Sequence, residues 1–83
     1  MNQIVDRFAL LIDIEHVKMP WLEENTGIKA ARWHKVKTHQ NEMRASDVEA
    51  LISVWPEYAY WLVTGLELPE SGQISPLTKK AAQ

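Results

Sequence analysis

The apolar positions of this chain fall into short stripes of helical period, separated by proline, glycine and capping residues. In residues 2–16, Ile4, Val5, Phe8, Leu11 and Ile12 recur at spacings of three and four, with Ile14 beyond them and Asp6, Arg7 and Asp13 outside the stripe. That period predicts an amphipathic helix. Pro20 then stands where a helix tolerates proline, in the first turn, with Glu23 and Glu24 complementing the positive end of the dipole and Gly27 as a left-handed stop. A short helix over 19–25 follows from this. Residues 28–38 form the next unit, with Ile28, Trp33 and Val36 on the inner side and Lys29, Arg32, His34, Lys35 and Lys37 outside. Only Thr26, Gly27 and Ile28 separate the two helices.

Residues 39–45 lack apolar periodicity and read as a loop. Ser46 and Glu49 have the spacing of a capping box, opening a helix with Val48, Leu51, Ile52 and Trp55 inward. Pro56 interrupts that helix and starts another, which Gly65 closes. From Pro69 to Pro76 the composition is that of turns, and residues 77–83 are expected to be frayed. No strand pattern or repeat appears. The fold class is therefore all-α, five short helices with an irregular tail: one domain over 1–68 and a tail over 69–83.

Two aromatic groups need a choice between core and ligand contact. Trp33 shares a stripe with Ile28 and Val36 and is assigned to the core, as are Trp55, Tyr58, Trp61 and Leu62. Ala59, Tyr60 and Val63 make the helix after Pro56 apolar on its other sides too, with Leu66 just beyond. Such a helix needs a partner outside its own core. A homodimer through Ala59, Tyr60, Val63 and Leu66 is the expectation, and the tail folding back through Leu68 or Ile74 is the alternative cover.

With 83 residues, 46% of them hydrophobic, the chain suffices for one modest core. Charged residues interrupt the N-terminal stretch, and its start carries no basic segment, so neither a membrane span nor a signal peptide is expected. The absence of cysteine removes disulfides and thiolate metal sites and fits a cytoplasmic protein. The net charge of −2 hides an asymmetry. Residues 29–44 hold five bases against Glu42, a local +4, while the remainder holds four bases against ten acids, a −6. A basic surface confined to one segment of an acidic chain attracts one kind of partner to one place.

Catalytic constellations are missing. Ser46, Ser53, Ser71 and Ser75 lie on a cap, on a helix and in the tail, with no nucleophile elbow. His16, His34 and His39 lack the spacing of a zinc hydrolase, and the few glycines form no phosphate loop. No enzyme activity, metal, cofactor or small-molecule substrate is expected.

What remains is a short helix, a glycine turn and a longer basic helix. A helix-turn-helix needs a glycine near the turn, an apolar residue after it, and a stripe that pins the second helix while its other face stays free. Gly27, Ile28, Trp33 and Val36 meet these needs. The free face offers Lys29, Ala30, Ala31, Arg32, His34 and Lys35, small or basic and suited to a major groove. From Leu22 to Val36 the chain resembles the helix-turn-helix of phage-repressor-like (Xre or Cro-type) DNA-binding domains, and the match extends roughly over residues 4–65. The segment 55–65 is similar to one in small prophage-type regulators.

The resemblance implies a lambda-repressor-like bundle in which Leu22 is the core leucine of the first motif helix and Gly27 the turn glycine. It puts Trp33 and Val36 at buried positions of a recognition helix over about 29–38. Lys29, Ala30, Ala31, Arg32 and Lys35 then face bases, with His34, Lys37, Gln40, Asn41 and Arg44 on phosphates. Glu23 departs from the pattern, since the family has a small alanine there; a wider crossing or a register shift follows from it. The function expected is a sequence-specific transcriptional regulator on double-stranded DNA, about four phosphates being neutralised per chain. The alternative is a small helical protein-interaction module, such as an adaptor or inhibitor, built on a degenerate helix-turn-helix.

Overall fold

The computed structural model describes residues 3–82 and contains six α-helices among them. Helix α1, Gln3–Glu15, buries Val5, Phe8, Leu11 and Ile12, the stripe its spacing predicts. Asn2, where the expected helix begins, lies outside the described residues. Helix α2, Met19–Thr26, carries Pro20 in its first turn and stops at Gly27, whose φ of 76° is the left-handed conformation that glycine adopts without steric cost. It runs one residue longer than expected.

Helix α3, Ala30–Lys37, starts two residues later than its apolar pattern suggests. The Thr26 hydroxyl accepts the Ile28 N–H at 3.2 Å, which keeps Ile28 in the turn, half-buried against the core. Lys29 takes the cap position. Trp33 and Val36 have no exposed surface at all, so the assignment of both to the core stands.

Helix α4, Ala45–Val54, does not use the expected capping box. The cap lies two residues earlier: the Asp47 carboxylate accepts the Arg44 backbone N–H at 2.8 Å, while Ser46 and Glu49 stay exposed. Asp47 is the third helical residue after the Arg44 cap, and its buried carboxylate makes a charge-assisted bond to the cap amide, which puts Ser46 inside the first turn. The buried stripe consequently runs through Asp47, Leu51 and Trp55, with Val48 and Val54 beside it. Ile52, a hundred degrees around the helix from Leu51, falls off the stripe.

Pro56 opens a 3₁₀ turn, Pro56–Tyr58, which leads into α5, Ala59–Thr64. Gly65 closes α5 at φ 79°, and here space matters as well, since a Cβ would sit 3.3 Å from the Arg7 guanidinium. Arg7 reaches over from α1 and donates to the carbonyls of Leu62 at 2.8 Å and Val63 at 3.1 Å, satisfying the C-terminal end of α5.

The tail is where the expectation fails. Residues 69–82 form a 3₁₀ turn, Pro69–Ser71, and a sixth helix, α6, Pro76–Ala81, packed on α1; Gln83 lies outside the described residues. The Gln73 side chain accepts the Tyr60 N–H and donates to the Pro56 carbonyl, and the Ile74 N–H reaches Glu57. Ser75 caps α6 by accepting the Thr78 N–H at 3.1 Å. These polar ties, with Ile74 against the core, hold the segment in place.

Candidate functional site

The α2–turn–α3 unit is assembled around one hydroxyl. Thr26 Oγ1 donates to the Leu22 carbonyl at 2.6 Å and accepts both the Ile28 N–H and, at 3.1 Å, the Trp33 indole N–H. A hydroxyl has one hydrogen and two lone pairs, and all are used. Trp33 lies against Phe8 of α1 with ring centroids 5.3 Å apart, so α3 is pinned to α1 and α2 at once. Glu23 supplies the cap that Lys29 cannot: its carboxylate accepts the Ala30 N–H at 2.7 Å. The residue that departs from the family pattern thus complements the positive end of α3.

With its inner side fixed, α3 turns Ala31, His34 and Lys35 to solvent, and Lys29 is exposed at its start. Ala30 is half-buried. Arg32 does not join them. Its Nε donates to Asp47 Oδ1 at 3.2 Å, and Nη2 donates to Asp47 Oδ2 at 2.5 Å and to the Glu42 carbonyl at 3.3 Å. The base-facing role expected of Arg32 is corrected accordingly, because Nε and Nη2 are engaged inside the protein and only Nη1 is left unengaged. The Asp47 hydrogen bond raises the Arg32 pKa, burial opposes it, and the carboxylate charge adds to the rise.

The loop after α3 folds back on its end. The backbone N–H groups of Gln40 and Asn41 both donate to the Lys35 carbonyl, and His39 turns the chain at φ 65°. Gln40, Asn41 and Arg44, expected on phosphates, line one polar hollow of about 620 Å³ together with Arg32. Lys37, expected there too, pairs with Asp13 at 3.0 Å on the exposed surface.

Charge accounting explains how an acidic chain keeps a basic face. Asp13, Asp47 and Glu57 are in ion pairs and Asp6 faces the His39 imidazole at 3.2 Å, while Glu15, Glu23 and Glu67 accept hydrogen bonds from within the fold. Lys29, Lys35 and Arg44 make no ion pair among the described residues. Of the residues expected at a dimer interface, Val63 and Leu66 are 51% and 60% exposed. Ala59 and Tyr60 are half-buried, with the Tyr60 amide bonded to Gln73 of the tail.

Periodicity had assigned Asp47 and Glu23 no part in the site. Nothing in the spacing of Asp47 from Arg32 announces their pairing.

Among solved structures the chain is similar to Pf6r from the filamentous phage Pf6 of Pseudomonas aeruginosa PA01, at 33% identity and a TM-score of 0.81. The alignment covers 95% of this chain and 92% of that one. No family model and no curated protein matches.

Proposed function

The chain belongs to one family with Pf6r, a filamentous-phage protein, and on that premise we propose that it is a phage-type regulator of transcription that binds double-stranded DNA in a sequence-specific manner. Helix α3 enters the major groove. The observation that carries this reading is the outer face of α3, where Ala31, His34 and Lys35 are free while Trp33 and Val36 are locked inward. Lys29 and Lys35 bring unpaired charge to that face. Alanine at 30 and 31 allows close approach and apolar contact with a thymine methyl. Gln40, Asn41 and Arg44 meet the backbone beside the groove and fix the register, as phosphate contacts do.

The protein acts as a homodimer through Val63 and Leu66, without catalysis, cofactor or small-molecule substrate. No helix among the described residues is long and apolar enough to cross a membrane. A salt titration on random duplex DNA tests the reading. Lys29, Lys35 and Arg44 neutralise about three phosphates per chain, each adding about −0.9 to the slope of log K against log salt. Binding that is absent at low salt, or flat across the titration, overturns it. The second reading, a protein-interaction module, draws on exposed Val63, Leu66 and Leu68, and predicts no such slope.

A further inference from the structure

We propose that Asp47 is a positioning residue that sets specificity by withholding Arg32 from DNA and locking α3 to the loop that follows it; this rests on the DNA-binding reading above. Arg32 occupies α3 between the exposed Ala31 and the buried Trp33, on the helix that approaches the groove. A guanidinium reads guanine, or clamps a phosphate, by presenting two N–H groups from neighbouring nitrogens as a fork. Arg32 has no free fork. Asp47 occupies the side-on pair, Nε and Nη2, and the end-on pair shares Nη2, whose second hydrogen goes to the Glu42 carbonyl. Only Nη1 is unengaged.

Asp47 is itself 1% exposed and also accepts the Arg44 backbone N–H. One carboxylate therefore joins the recognition helix, the loop carrying Gln40 and Asn41, and the start of α4. Neutralising it has two consequences. A cation is released at the DNA-facing surface, which strengthens contact with any duplex. The registry between α3 and its loop loosens, which weakens discrimination between duplexes.

The test uses the full chain, a preferred duplex selected from a random pool, and a random duplex, each titrated with salt. Asp47→Asn is expected to steepen the slope on random DNA by about 0.9, one added phosphate, and to narrow the preferred-to-random affinity ratio about tenfold. Arg32→Ala is expected to narrow the ratio by a similar factor while leaving the slope at the wild-type value. Should a single variant lose its circular dichroism signature, the Arg32→Ala/Asp47→Ala pair, which leaves no orphaned buried charge, takes its place with the same expectation as Arg32→Ala. A slope flattened by about 0.9 in Arg32→Ala would show the guanidinium already on a phosphate and overturn the proposal. So would an unchanged ratio in folded variants. A wild-type chain that binds no duplex at low salt overturns the DNA reading itself, and this inference with it.

Discussion

Trp33 and Thr26 decide whether α3 is held as a reading element. The indole of Trp33 has no exposed surface, stacks on Phe8 and donates to Thr26. Its replacement by alanine is expected to cost about 3–5 kcal/mol, a large part of what so small a domain possesses, and to abolish binding through loss of the fold. Thr26→Val keeps the volume but removes the oxygen that accepts the Trp33 indole N–H and the Ile28 backbone N–H. It is expected to cost about 1–3 kcal/mol, since it strands a buried indole N–H. Urea unfolding of both variants gives the order: a Thr26→Val midpoint equal to wild type would remove the hydroxyl from its central place. At this scale the core was legible in the sequence and the polar partners were not. Trp33 and Val36 follow from spacing, because burial obeys helical period, and Leu22 from the resemblance. Glu23, Thr26 and Asp47 bond to Ala30, Trp33 and Arg32, 7–15 residues away, by geometry that no period encodes.

Helix α6 is an element held by charge and hydroxyl groups more than by apolar area. Lys79 donates to Glu57 at 2.7 Å and lies over the Tyr58 ring, whose hydroxyl donates to Glu15. Burial first, and the Glu15 carboxylate second, push the Tyr58 pKa well above its ordinary value. The folded chain therefore holds that proton more tightly than the unfolded chain. The resulting stability is complete below the ordinary tyrosine pKa of about 10 and declines as pH rises beyond it. Lys79, raised chiefly by its bond to Glu57, declines in the same direction. Glu57 runs oppositely: burial pushes its pKa up, but the Lys79 hydrogen bond and charge prevail and lower it. Its contribution is present above the ordinary carboxylate range and is lost as pH falls through it. Thermal melts from pH 7 to 11 should show stability falling above about pH 10, and Tyr58→Phe should flatten that fall. An equal decline in the variant would assign it to other groups. The tail hid from sequence reading for the same reason that it titrates. Ser75 followed by Pro76 is a capping signal, yet the six-residue helix it opens is fastened by Glu57, Glu67 and Gln73, scattered polar residues with no stripe to find.

At the scale of the whole molecule, the proposed DNA-binding reading asks how one short helix addresses enough DNA. On that reading a single α3 with three unpaired cations beside it would contact few base pairs, and a second copy would double them. The surface to join two copies survives the folding of the tail only in part. Gln73 and Ile74 cover the beginning of α5, where Tyr60 lies, but Val63 near its end and Leu66 and Leu68 just beyond Gly65 remain exposed. Apolar side chains of this size left open in one region of a small protein mark a contact surface. On the proposed reading, two copies about a two-fold would set their α3 helices one turn of DNA, ~34 Å, apart. Light scattering at micromolar concentration is expected to give about 19 kDa, twice the chain mass of 9.6 kDa. Val63→Glu and Leu66→Glu should each bring this to the single-chain mass, with the circular dichroism unchanged because both side chains are exposed. Their affinity for a palindromic site should fall toward that for one half-site, since the second helix no longer arrives with the first. A wild-type mass of 9.6 kDa, or a Val63→Glu protein that keeps both the doubled mass and the palindromic affinity, would take the dimer away from the end of α5.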